Sequence, residues 1–196
     1  MNLTAKAARM QAARFERLYA ESPDPWGYCT NDYEREKYAA TLAALSPSPS
    51  GSALEIGCSI GVFTAQLAGR YERVLGIDFS PRALALAHAR LGDSPNVQLR
   101  HASFPEQAPD GPWDAVVCSE VLYYLDEQSL GQATRWLSQQ LRQGACVVAV
   151  SWRGTGVEEP LRGDDVHDLL ACELARWHTF DGRQVGYRLD RFNSNG

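Results

Sequence analysis

Glu55, Gly57, Gly61 and Asp78 are spaced for gripping a nucleoside. Ala53-Leu54-Glu55-Ile56 reads as a short buried strand, Gly57-Cys58-Ser59-Ile60-Gly61 as a tight glycine turn, and Val62-Phe63-Thr64 as the start of a helix. A second apolar run, Val74-Leu75-Gly76-Ile77, ends on Asp78. A strand-turn-helix-strand unit closed by an acid is the half-fold that binds nucleosides. Gly57 and Gly61 bring backbone close to a ligand with no Cβ in the way. Asp78 can accept hydrogen bonds from both ribose hydroxyls. A dinucleotide fingerprint would read Gly-x-Gly-x-x-Gly, but its second and third glycines are here Ser59 and Val62. Glu55 ahead of the turn would repel a pyrophosphate and suits a cationic amino group. His167, on a later helical run, is a candidate base for an oxygen acceptor, beside the plainer reading of a structural or exposed histidine. The histidines and cysteines form no local ligand pattern, so no metal is expected.

Glu-x-Gly-Cys-x-x-Gly with a downstream Gly-x-Asp resembles motif I of the class I S-adenosylmethionine methyltransferases. The resemblance implies S-adenosyl-L-methionine as cofactor and S-adenosyl-L-homocysteine as product. On that pattern Glu55, Gly57, Cys58 and Gly61 surround the methionine moiety, Asp78 takes the ribose and Phe79 lies against the adenine. Ser103 and Phe104 follow the third strand, where such enzymes often place an aspartate on the adenine amino group; a serine hydroxyl can accept that bond more weakly. Ser59 stands where the middle glycine is usual. Glu120 falls just past the fourth strand, beside the expected sulfonium methyl. It could hold an ammonium acceptor or take its proton, with Tyr123 and Tyr124 next to it. The alternative is that Glu120 caps the next turn and the tyrosines are core or pocket wall. Trp26, with Tyr28, Tyr33, Arg35 and Tyr38, forms an aromatic and charged cluster. Such a cluster can close over the cofactor or stack on a sugar or amine, or merely pin the N-terminal segment to the core.

The elements that must position these residues follow from periodicity. A helix is predicted over Ala7 to Ala20, with Ala8, Ala12, Phe15, Leu18 and Tyr19 on its apolar face. Ser22-Pro23-Asp24-Pro25 stops it, and a second helix runs to about Leu45. Ser46-Pro47-Ser48-Pro49-Ser50-Gly51 is a breaker cluster. Residues 1–50 thus read as a helical cap on a core spanning 51–196, the whole being one domain. In the core, strands 53–56, 73–77, 97–100, 113–119 and 145–151 alternate with helices 62–70, 81–91, about 126–141 and about 164–171. Asp181-Gly182, between two strand-like runs, predicts the turn of a closing hairpin. The expected fold class is α/β, Rossmann-like, with a seven-stranded, mostly parallel sheet, a C-terminal antiparallel hairpin and helices on both faces.

Composition narrows the partners. The 196 residues carry a net charge of −5 without a block of lysines or arginines, which argues against a nucleic-acid partner. No run approaches the ~20 apolar residues of a membrane span. An odd count of scattered cysteines without a Cys-x-x-Cys pair suits a reduced, cytoplasmic chain.

Asp24-Pro25-Trp26, Tyr33-Glu34-Arg35-Glu36-Lys37-Tyr38, Leu54-Glu55-Ile56-Gly57-Cys58 and Ser119-Glu120-Val121-Leu122-Tyr123-Tyr124-Leu125 together resemble the nodulation-protein-S-like methyltransferases. That resemblance covers roughly residues 15–150. It implies N-methylation of an amino sugar, since members of that family methylate the deacetylated glucosamine end of chitooligosaccharide precursors. The expected partner is therefore a small-molecule acceptor. Three rivals stay open: O-methylation of a small metabolite or sugar hydroxyl, a nucleotide-binding oxidoreductase, and a non-catalytic nucleoside-binding module.

Overall fold

The parallel strands are β1 (Ser48–Ile56), β2 (Tyr71–Asp78), β3 (Val97–His101), β4 (Ala115–Ser119) and β5 (Cys146–Trp152), of which β4 and β5 are apolar runs and β3 is a mixed, edge one. The structure is a computed structural model and describes residues 3–154 and 160–194. Helices α1 (Leu3–Glu21) and α2 (Asp32–Ala44) precede the sheet. Helices α3 (Val62–Ala68), α4 (Pro81–Leu91), α5 (Glu127–Arg142) and α6 (Gly163–Glu173) follow β1, β2, β4 and β5, and β6 (His178–Arg183) and β7 (Tyr187–Asn193) close the chain. The strand order is β3-β2-β1-β4-β5-β7-β6, with β7 antiparallel to both neighbours and β1 to β5 parallel. The predicted mostly parallel sheet with an antiparallel closing hairpin is the one observed.

Side chains of β1, β4 and β5 alternate between two apolar layers, as strands covered on both faces must. Leu54, Ile56, Val116, Cys118, Val147 and Ala149 pack with Leu130, Leu137 and Leu141 of α5 and Leu170 of α6. Ala53, Val117, Val148 and Val150 pack on the other side with Phe63 and Leu67 of α3 and Tyr38 of α2. Caps fix where helices begin. Ser80 accepts from the Ala83 amide at 3.1 Å and Asp126 from the Ser129 amide at 2.7 Å. No described helix is long and apolar enough to cross a membrane.

Two expectations shift. The breaker cluster does not end before β1; Ser48 already pairs with Tyr71, and the register is irregular up to Ser52, around a proline that has no N–H to give the ladder. The hairpin turn is not at Asp181-Gly182, which lie inside β6 opposite Asp190 and Leu189. It falls at 184–186, closed by the Gln184 amide on the Tyr187 carbonyl at 2.9 Å. Asp181 is held in the strand by Arg183 and Arg188, 3.1 and 3.4 Å away, an attraction that turn propensity does not count.

Candidate active site

From β1 the chain moves outward to β2 and β3, then returns to β4 on the other side of β1. Connections leaving β1 and β4 therefore diverge and open a crevice at their carboxyl ends, where open α/β sheets bind ligands. A cavity of about 790 Å³ occupies that place. Its floor includes Gly57, Ser59, Asp78, Phe79 and Glu120, Phe104 and Tyr124 stand at its sides, and Arg14, Phe15 and Tyr19 of α1 lie across it. That volume suits a nucleoside with room to spare.

At the nucleoside end the turn is built by its backbone. Gly57, Ser59 and Gly61 have φ of +75°, +49° and +78°. Ser59 pays the left-handed cost that glycine avoids, and its hydroxyl is 2.6 Å from the Tyr19 hydroxyl of α1. The serine that departs from the usual glycine thus ties the turn to the helix above. At Gly57 a Cβ would stand 2.3 Å from Val121, so its missing side chain admits β4's following residues as well as any ligand. Asp78 ends β2, with its carboxylate accepting from the Ser59 amide at 2.9 Å and the Ser80 amide at 2.8 Å. Burial pushes its carboxyl up to about 6, against the pull of those two amides. Glu16 of α1 accepts from the Ser80 hydroxyl and pairs with Arg82 at 3.2 Å, anchoring α1 on the start of α4. Phe79 meets Phe15 edge-on at 5.3 Å, and Phe104 meets Trp136 at 5.5 Å.

The other end is a polar cluster. Glu120 has φ +56°, rare for a residue with a Cβ, and its amide donates to the Val150 carbonyl at 2.9 Å. One carboxylate oxygen accepts from Lys37 Nζ at 2.7 Å. The other accepts from the Tyr123 hydroxyl at 2.7 Å and the Trp152 amide at 2.9 Å. Lys37 also reaches Glu34 at 2.9 Å, and its side chain is 2% exposed. Burial alone would lower the Lys37 ammonium; Glu120 and Glu34 outweigh it and hold it above the ordinary lysine range. Desolvation, with Glu120 nearby, keeps the Tyr123 phenol far above its usual range, so it stays protonated and donates.

The remaining candidates divide. Ser103 lines the cavity beside Phe104, its amide tied to Gln107. Glu55 and Cys58 are buried beneath the turn, 3% and 2% exposed, and do not face the cavity. Thr64 donates to the Glu55 carboxylate, and burial pushes that carboxyl up to about 8. Gly61 packs against Ala87 and Leu91 of α4. Trp26 sits behind the cavity wall, 5.6 Å from Phe15 and 5.5 Å from Tyr19. His167 is a correction: it is 0% exposed, its Nδ1 is 2.9 Å from Asp190 of β7, and it has no face on the cleft. An imidazole at that place on the helix is drawn inward by the buried Asp190, which the sequence spacing does not reveal. Lys37 is the residue that sequence reasoning missed. A lysine in a charged helical run reads as solvated, and its partner Glu120 is 83 positions away. Among the described residues, no three His, Cys, Asp or Glu side chains gather as a metal site.

Comparison with known proteins adds the family. The family model for nodulation protein S matches residues 12–156. Nodulation protein S of Sinorhizobium fredii is 34% identical over 120 residues, covering 60% of this chain and 56% of that protein. Its counterpart in Rhizobium tropici is 32% identical over 132 residues, covering 66% of this chain and 56% of that one. The chain thus spans about half the length of the curated relatives it matches. Among solved structures, the N-methyltransferase NodS from Bradyrhizobium japonicum WM9, in complex with S-adenosyl-L-homocysteine, superposes with a TM-score of 0.77 at 26% identity. That match covers 94% of this chain and 98% of that one.

Proposed function

The chain belongs to the nodulation protein S family, and from that premise we propose that it is an S-adenosylmethionine-dependent N-methyltransferase whose acceptor is an amine on a small molecule, an amino sugar or deacetylated chitooligosaccharide first of all. The observation that carries this reading is that Asp78, at the end of β2, and Glu120, just past β4, border the same cavity. The residues fit the cofactor. Asp78 spends its bonds on backbone amides of its own turn and faces the cavity, leaving acceptor capacity for ribose hydroxyls. Phe79, Ser103 and Phe104 offer the base a mostly apolar berth.

When bound, S-adenosylmethionine supplies an electrophilic methyl on its sulfonium, a leaving group already activated. The chain's own residues then have to orient, exclude water and handle one proton. Glu120 receives an N–H of the acceptor ammonium on the oxygen shared with Lys37 and takes the proton the nitrogen must lose before it can attack. Tyr123 and the Trp152 amide hold the other oxygen and fix the direction of the carboxylate. Phe15 and Tyr124, 5.2 Å apart edge-on, narrow the space between the two ends. His167, the base the sequence offered for an oxygen acceptor, lies outside the cleft and bonds Asp190 instead.

Calorimetric titration with S-adenosyl-L-homocysteine tests the cofactor end. Micromolar binding that weakens at least about tenfold in Asp78→Ala, roughly 1–3 kcal/mol of lost charge-assisted bonds, is expected. The acceptor end is tested by mass spectrometry of products from deacetylated chitooligosaccharides. Absence of S-adenosyl-L-homocysteine binding by the wild-type protein would remove the enzyme reading, and methyl found on oxygen would remove the amine.

A further inference from the structure

Lys37 stands between two acids at the acceptor end of the cleft, and nothing in the turn chemistry of the cofactor requires it there. Its Nζ lies 2.7 Å from Glu120 Oε1 and 3.0 Å from Glu34 Oε1, with the Tyr33 ring 5.2 Å away. Two carboxylates and one ammonium leave this buried cluster one unit negative. We propose that Lys37 is the positioning and charge-setting residue of the acceptor site: it aims Glu120 with one acceptor position open to the cleft, and it cancels one of two carboxylates so that a single cationic nitrogen completes the cluster. The choice of an amine as the completing ligand rests on the function proposed above; the electrostatics of the cluster itself do not.

The hydrogen-bond count gives the open position. A carboxylate offers about four lone-pair positions. Lys37 takes one on Oε1, and the Tyr123 hydroxyl and Trp152 amide take two on Oε2. One remains, on a side chain that is 13% exposed and borders the cavity. Glu120 is also held by strained backbone at φ +56°, a conformation kept only where surroundings over-determine it. A lysine suits the task because a compact ammonium can bridge two carboxylates from one atom, which a planar guanidinium fork cannot.

The other groups facing the cluster do not supply the charge. Tyr123 comes from the turn after β4, Tyr28 and Asp24 from the loop before α2, Tyr33 and Tyr38 from α2, and Tyr187 from β7. Burial keeps these phenols neutral. The Asp24 carboxylate is taken by the amides of Tyr28 and Cys29 at 2.8 and 2.9 Å. Lys37 is the ammonium within reach of both acids.

Scanning calorimetry of Lys37→Met against pH tests this without any acceptor. Without the ammonium, Glu34 and Glu120 repel, and the folded protein binds more protons than the unfolded chain, so stability falls as pH rises. The expected Tm deficit is on the order of 10 °C at about pH 8, shrinking by at least half at about pH 5.5. Lys37→Met with Glu34→Gln returns the cluster to one negative charge and removes the pH-dependent part. A deficit equal at both pH values and unchanged in the double variant would mean that Lys37 only fills space, and would overturn the proposal. If Lys37→Met does not fold, Glu34→Gln decides: it leaves Lys37 on Glu120 but makes the cluster neutral. Acceptor KM is then expected to rise about tenfold with kcat within about threefold and S-adenosyl-L-homocysteine binding intact; an unchanged KM refutes charge-setting. Failure of the wild-type protein to methylate any amine would sink the amine reading while leaving the calorimetric comparison of Lys37→Met to decide this one.

Discussion

Glu55 and Asp78 lie on neighbouring strands, one beneath the glycine turn and one facing the cleft, and their surroundings set different protonation states. Burial dominates both. Asp78 is held near 6 because two backbone amides point at it, whereas Glu55 has one threonine hydroxyl and rises to about 8. At neutral pH Asp78 is therefore largely the hydrogen-bond-accepting carboxylate and Glu55 largely the neutral acid. Glu55→Gln, nearly isosteric with that neutral acid, is expected to fold and to bind S-adenosyl-L-homocysteine within about threefold of wild type by calorimetry, a difference below ~1 kcal/mol. A loss of tenfold or more would show that the Glu55 charge is needed. For Asp78 the same titration run at falling pH should show affinity declining below about pH 6, as the carboxylate that would accept from the ribose takes a proton. Asp78 was readable from sequence because a strand-end acid after a glycine turn has a local signature. Lys37 was not, since its meaning lies in Glu120, far along the chain. For His167 the sequence left a base and a structural histidine both open, because the two look alike until Asp190 is placed beside one; the structure has the structural one.

At the scale of elements, the sheet was legible and the N-terminal helices only in part. Strands such as β5 announce themselves as apolar runs because both faces are covered. Phe15 and Tyr19 of α1 are buried as periodicity expects, while the Ala8 side chain lies outside the described residues. Helix α2 buries Glu34, Lys37, Tyr38 and Thr41, a mostly polar face that hydrophobic periodicity cannot find. It stays in place through the Lys37–Glu120 pair at 2.7 Å and the Tyr38 ring stacked on Phe63 at 5.2 Å. The loop joining α1 to α2 is organised by Asp24, whose carboxylate accepts from two successive amides and so fixes Trp26 against Phe15 and Tyr19. Asp24→Ala frees both amides. The expected cost is ~1–2 kcal/mol, read as a Tm lower by roughly 2–8 °C, with S-adenosyl-L-homocysteine binding several-fold weaker because α1 forms part of the cavity wall. An unchanged Tm would mean that the aromatic contacts alone hold this loop.

Across the whole molecule, acids fall into two groups that respond oppositely to pH: a buried set, and a pair gathered on Arg188 of which Asp190 is buried and Asp168 exposed. On the cofactor and α2 side, Glu55, Asp78 and Glu34 are raised, chiefly by burial. On the α6 and β7 side, Asp168 is lowered by its bond to Arg188 at 2.6 Å. Asp190 is lowered too, its burial outweighed by His167 and Arg188. The raised acids bind more protons folded than unfolded, so their effect on stability worsens as pH rises from about 4 through about 6 for Asp78 and about 8 for Glu55. The lowered acids stabilise above the ordinary aspartate range and lose that contribution as pH falls below it. Between the two slopes lies a maximum on the acidic side of neutrality. Calorimetric Tm of the unliganded protein is expected to peak at about pH 4 and to decline toward about pH 8. The double variant Glu55→Gln, Asp78→Asn should flatten that decline and leave the acid limb in place. A wild-type Tm that keeps rising to pH 8 would mean that the cofactor side is more hydrated than its burial implies, and that Asp78 is a fully formed carboxylate well below pH 6.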